Sequence, residues 1–234
     1  MEQGKIVSRL LMLGALLSAA WIAPAQQKAV LYPSMAPLDQ YMMEGGAEIA
    51  LARNAAPASI SNDAEILVLG RHGYETAAKG KNGFVCLVER GWAAGIDDPD
   101  FWNPKLRGPM CLNAPGARSR LPITFKRTQL ALAGMNKTQI FDGIKSAFEK
   151  KELRTPEPGA MCYMLSKEGY LGDSVGHWHP HLMFFVPLNE HMDWGASLLG
   201  SPVLGFQDSE EQMTVFVIPV TRWSDGTAAP SYQP

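Results

Sequence analysis

Residues 136–151 read Asn136-Lys137-Thr138-Gln139-Ile140-Phe141-Asp142-Gly143-Ile144-Lys145-Ser146-Ala147-Phe148-Glu149-Lys150-Lys151. Ile140, Phe141, Ile144, Ala147 and Phe148 fall on one stripe of a 3.6-residue period, so the segment predicts an amphipathic helix over 137–151. Asn136 and Gln139 have the spacing of a capping box, and Lys150 and Lys151 suit the negative pole of the helix. Upstream, residues 122–133 predict a second helix, with Pro122 in its first turn. A broken helical pattern over 38–53, interrupted by Gly45 and Gly46, predicts two short helices. Short apolar runs lie on either side of this helical centre. Before it are 66–69 and 84–88, expected to pair as a long-looped hairpin closed by Lys81-Asn82-Gly83. After it come 161–165, 178–186 and 213–220. Strands, then helices, then strands imply an α+β fold: an antiparallel or mixed sheet with two to four helices packed on one face.

The chain opens with Lys5 and Arg9, then an apolar run of about 13 residues over 10–22, then Ala23-Pro24-Ala25, the three parts of a secretory signal peptide. The run is shorter than the roughly 20 residues of a spanning helix. The expectation is a signal peptide at 1–25 and a single α+β domain over 26–234, with a loose polar tail from Ser224. Such a chain would be periplasmic or secreted, with no stable membrane insertion after cleavage. Lys and Arg number 21 against 23 Asp and Glu, for a net charge of −2. No Lys/Arg run builds a basic face, so nucleic acid is not an expected partner. A small-molecule or metal ligand remains open, as does the oligomeric state. Of the three cysteines, Cys86 and Cys111 are nearest in sequence and form the preferred bridge; three unbridged thiols are the alternative.

Four of the five histidines, His177, His179, His181 and His191, fall within 15 residues. In an extended strand, residues i, i+2 and i+4 share a face, so His177, His179 and His181 would line one side with Trp178 and Leu182 on the other. Imidazole is a ligand for zinc, copper and iron, and these four residues are the expected metal ligands. An ideal strand separates the first and third rings by about 13 Å, so Pro180 would have to bend the chain for all three to meet one ion. Glu190, His72 and Asp173 are candidates for a distant ligand. An open coordination position would make the site a metal-dependent hydrolase or oxidoreductase. The alternative is a non-catalytic secreted binding domain with structural histidines.

The His-x-His spacing resembles strand pairs of carbonic anhydrases and the first metal motif of cupins. The His177-Trp178-His179 triplet resembles part of a multicopper-oxidase motif. The Glu of the cupin pattern is replaced here by apolar residues, and Pro180 stands where metallo-β-lactamases carry Asp. The run 66–73, Ile-Leu-Val-Leu-Gly-Arg-His-Gly, resembles the first motif of histidine phosphatases. That resemblance implies His72 as nucleophile, Arg71 as phosphate clamp and one of His177, His179 or His181 as the partner histidine. Asp97, Asp98 and Asp100 with Trp102 form an acidic loop that lacks the glycine and distal Glu of an EF-hand. The catalytic residues and the substrate are not specified by any nucleophile elbow, P-loop or dinucleotide fingerprint.

Overall fold

The structure is a computed structural model, and it describes residues 31–173, 176–188 and 194–231. The expected signal peptide, Glu190 and His191 lie outside the described residues.

An eight-stranded sheet organises the chain. Its strands are β1 (Glu65–Gly70), β2 (Gly73–Ala78), β3 (Val85–Glu89), β4 (Gly108–Leu112), β5 (Met161–Met164), β8 (His181–Pro187), β9 (Leu204–Asp208) and β10 (Met213–Pro219). Their spatial order is β2-β1-β3-β4-β5-β8-β10-β9, and β6 (Tyr170–Gly172) and β7 (Gly176–His177) form a separate two-stranded sheet. Only the β1–β3 pairing within the large sheet is parallel, so the sheet is mixed and the fold is α+β.

The period-2 alternation of each strand divides the sheet into two faces. Leu67, Leu69, Leu87, Met110, Leu112, Cys162 and Phe185 face the two long helices, α4 (Leu121–Leu132) and α5 (Lys137–Glu149). These helices contribute Ile123, Leu130, Ile140, Phe141 and Ile144 to the same core. Ile66, Cys86, Val88 and Cys111 face the other way and are covered by Leu51 and Ala52 of α1 (Gly45–Arg53) and by the alanines that follow. Two short helices, α2 (Ala58–Ser61) and α3 (Ala114–Ser119), are also present among the described residues.

The helix predicted at 137–151 is present as α5. Its capping box forms reciprocally: the Gln139 amide donates to Asn136 Oδ1, and the Asn136 amide to Gln139 Oε1, each at 3.0 Å. The hairpin expected between 66–69 and 84–88 is corrected. Its supposed loop contains β2, which pairs antiparallel with β1, and β3 runs parallel to β1. As an edge strand β2 is largely exposed, and its Glu75, Thr76 and Ala77 gave no apolar alternation to read.

Cys86 and Cys111 stand directly opposite each other on β3 and β4 and are disulfide-bonded, with Cα atoms 3.9 Å apart; Cys162 is free and buried. Beneath α1, the side chains of Arg90 and Glu48 form an ion pair at 2.8 Å with essentially no solvent exposure. Arg90 also donates to the carbonyls of Tyr41 and Val88, and Glu48 accepts the Leu69 amide at 3.0 Å. The polar segment from Ser224, read from the sequence as loose, makes bonds back to the domain. The Ser224 amide donates to Leu165 O at 2.9 Å, and Asp225 pairs with Lys167 at 2.7 Å.

Candidate functional site

The expected strand over 178–186 is corrected to one that begins at His181. β7 ends at His177, and residues 178–180 cross from the small sheet to the large one. Pro180 has no N–H to give a ladder and accepts the Val220 amide instead, so the alternation of three imidazoles on one face is broken.

Each ring therefore serves a different carbonyl. His177 is exposed, pairs across the small sheet with Tyr170, and places Nδ1 2.7 Å from Gly169 O. His179 places Nε2 3.1 Å from Val220 O. His181 places Nδ1 2.7 Å from His179 O. Between them Trp178 is buried, with its indole N–H donated to Ser166 O at 2.8 Å.

The other ligand candidates lie elsewhere. His72 sits in the β1–β2 turn, separated from β8 by β3, β4 and β5. That turn joins two antiparallel strands, whereas the histidine-phosphatase motif leads into a helix, and Arg71 pairs with Asp39 at 2.8 Å. Asp173 accepts hydrogen bonds from the hydroxyls of both Tyr32 and Tyr170, which hold its carboxyl below the usual range. Among the described residues, no group of three or more His, Cys, Asp or Glu is placed to hold a metal ion. The Asp97–Asp98–Asp100 loop uses its acids to make turns. Asp98 Oδ1 accepts the Asp100 amide at 2.7 Å, and Asp100 Oδ1 accepts the Asn103 side chain at 2.7 Å.

Two of the described histidines line cavities: His72 borders a hollow of about 480 Å³ beside Tyr74 and Phe125, and His181 borders a larger one. A cleft of about 730 Å³ opens between the 93–100 loop and the sheet, with Leu171, Met164 and Met183 among its apolar walls and His181 and Glu89 among its polar ones. An adjoining cavity of about 340 Å³ shares Glu89, Ala94, Gly95, Ile96 and Met183 and extends toward Arg120, Asp208 and Glu211. Such a mostly apolar hollow with a few convergent polar groups is the usual form of a small-molecule site.

The polarity of His181 follows from its contacts. With Nδ1–H donated to the His179 carbonyl, the neutral ring carries its lone pair on Nε2. Burial lowers its pKa below 6.5, and the charge of His179 adds to the effect, against the opposing hydrogen bond to the His179 carbonyl. The ring is steadied edge-to-face by Trp178, with centroids 5.6 Å apart.

Glu89, the last residue of β3, is 8% exposed. Its Oε1 accepts the Thr124 hydroxyl at 2.8 Å and lies 3.5 Å from the Arg120 guanidinium. Arg120 donates to Thr124 at 2.8 Å and lies 3.9 Å from Glu211. Arg127 pairs with Glu211, donates to Ala94 O at 2.7 Å, and stacks over Phe141 at 4.5 Å. Asp208 lies 4.0 Å from Arg127, and burial together with the nearby Glu211 carboxylate pushes its carboxyl pKa up.

The sequence singled out none of Glu89, Arg120, Thr124, Asp208 or Glu211. The one visible signal was Glu89-Arg90 abutting the apolar run 84–88 without an intervening turn residue, which is unusual for charges expected in water.

No family model matches the chain, and neither does any curated protein or solved structure.

Proposed function

We propose that the cleft between the 93–100 loop and β8 is a small-molecule site and that the chain acts on its ligand by proton transfer at His181. The observation that carries this reading is the commitment of His181 Nδ1 to the His179 carbonyl while the same ring lines the cleft. A neutral imidazole with a fixed tautomer, in apolar surroundings, is a base available at neutral pH without first losing a proton. Met164, Leu171 and Met183 supply apolar contact for the ligand body, and Glu89 supplies a second acceptor. The working compartment is read as extracytoplasmic. The signal-peptide pattern of residues 1–25 and the Cys86–Cys111 bridge both support that reading.

Gly95 provides the test. Gly95 lines both cavities, and a Cβ added there meets no atom within 4 Å, so Gly95→Phe is accommodated at the cleft wall and is expected to obstruct the cleft. Small molecules that raise the melting temperature of the wild-type protein are expected to lose that effect in Gly95→Phe. Retention of every such effect in that variant overturns the site. Among molecules that the protein converts, turnover that survives His181→Gln overturns the role of His181 as base.

A further inference from the structure

The network flanking the cleft contains three carboxylates, the buried Glu89 and Glu211 and the half-buried Asp208, against two buried guanidiniums, Arg120 and Arg127. Buried charges are normally balanced by partners, and this set is one cation short. The guanidinium of Arg120 is turned to Thr124, Glu89 and Glu211, and that of Arg127 to Glu211, to the carbonyls of Trp92 and Ala94 and, at 4.0 Å, to Asp208. All three carboxylates line the hollow, and Asp208 is the most weakly paired of them. Asp208 bounds the smaller cavity. Glu89 bounds both, is more than nine-tenths buried, and has its Thr124 hydrogen bond and its Arg120 ion pair both on Oε1. Among the described residues, Glu89 Oε2 makes no hydrogen bond. The second functional group of the cleft, His181 Nε2, is also an acceptor, because Nδ1 holds the proton. Two acceptors and an uncompensated negative charge call for a ligand that brings donors and positive charge.

We propose that the cleft binds an organic cation, a protonated amine on an apolar body, with its ammonium group against Glu89 Oε2 and within reach of His181 Nε2. This rests on the reading of the cleft as a small-molecule site and names the class of ligand. The apolar body lies along Met164, Leu171 and Met183. At the rim, Asp97 and Asp98 add negative charge that Lys137 partly offsets, since its ammonium donates to Asp98 O at 2.9 Å. An ammonium ligand supplies the missing cation directly.

Three six-carbon probes of equal reach separate charge from shape: hexylammonium, hexanoate and hexan-1-ol. Each is titrated into the purified protein and followed by two-dimensional NMR at the amides of Ala94, Gly95, Ile96 and Leu171. Hexylammonium is expected to shift these signals and hexanoate to leave them in place. Glu89→Gln should weaken hexylammonium about tenfold or more, the loss of one charge-assisted contact. Should Glu89→Gln fail to fold, Asp208→Asn removes one negative charge at the edge of the smaller cavity and is expected to weaken hexylammonium several-fold. Binding of hexanoate or hexan-1-ol at these amides as tight as that of hexylammonium overturns the cation assignment and leaves the cleft intact as a site. Unchanged hexylammonium affinity in a folded Glu89→Gln or Asp208→Asn variant does the same. Failure of all three probes, together with ligands that are indifferent to Gly95→Phe, overturns the site itself.

Discussion

His181 points its Nδ1 at the carbonyl oxygen of His179, two residues earlier, at 2.7 Å. The contact fixes which nitrogen is free and makes the ring's titration a measurable property of the fold. Burial lowers the folded pKa below 6.5, so the folded state takes up this proton later than the unfolded chain does. The associated stability is complete above 6.5 and is lost as pH falls through the folded pKa. The urea midpoint is expected to fall below pH 6.5 more steeply in the wild type than in His181→Gln. Long-range proton–nitrogen NMR at pH 7 should report an unprotonated Nε2; a proton on Nε2 there contradicts the assignment.

The Arg90–Glu48 pair makes a second prediction, in stability. Both side chains are withdrawn from water, and Glu48 also holds the Leu69 amide. Glu48→Ala strands a buried guanidinium and should cost about 3–5 kcal/mol in urea unfolding. Glu48→Leu combined with Arg90→Met removes both charges at once and should recover most of that loss. Equal losses in the single and double variants would show that the pair's charge is not the source of the cost.

Cys162 is the single free thiol, and burial raises its pKa strongly. The native oxidised protein should therefore leave a thiol reagent unconsumed, and after denaturation one thiol per chain should react. Reduction of the Cys86–Cys111 bond, which spans a sequence separation of 25, should lower stability by about 3 kcal/mol. Two or three thiols in the unreduced denatured chain would disprove the bridge.

Gly169 and Gly95 should respond in opposite ways to a methyl group. A Cβ at Gly169 would lie 2.3 Å from two ring carbons of Trp178, whose indole is pinned to Ser166, whereas at Gly95 it meets nothing within 4 Å. Gly169→Ala should cost about 2–3 kcal/mol by overpacking, and it should move the NMR signals of His181, which rests against Trp178. Gly95→Ala should stay within about 0.5 kcal/mol of the wild type.

The elements visible in the sequence were those whose stability is local. α5 shows its apolar stripe, and Asn136 and Gln139 show its cap, because both interactions close within a few residues. β2 was invisible because an edge strand needs no buried face. β4 was hidden because it opens with Gly108 and Pro109, residue types depleted in strands, and it is bridged to β3 through Cys111. The break between His177 and His181 was written in Pro180. Where each ring went depended on distant carbonyls, that of Gly169 for His177 and that of Val220 for His179. Glu89 and Arg120 could not be identified as buried before α4 was known to lie over β3, since burial of a charge belongs to topology rather than to local pattern.

The placement of the cysteines has a consequence for how the sheet is assembled. Cys86 faces Cys111 across β3 and β4, while Cys111 faces Tyr163, and Cys162 faces Leu112 across β4 and β5. Adjacent positions on a strand point to opposite faces, so a slip of one residue between β3 and β4 would carry the two sulfurs to opposite sides of the sheet. In the native register Cys162 lies on the face away from the bridge, beyond the reach of Cys111. Oxidation can therefore seal only a correctly aligned β3–β4 pair, and the third thiol is kept from competing by strand parity alone. The disulfide acts as a checkpoint on strand alignment as well as a fastening, and an oxidising compartment would turn a correct pairing into a permanent one.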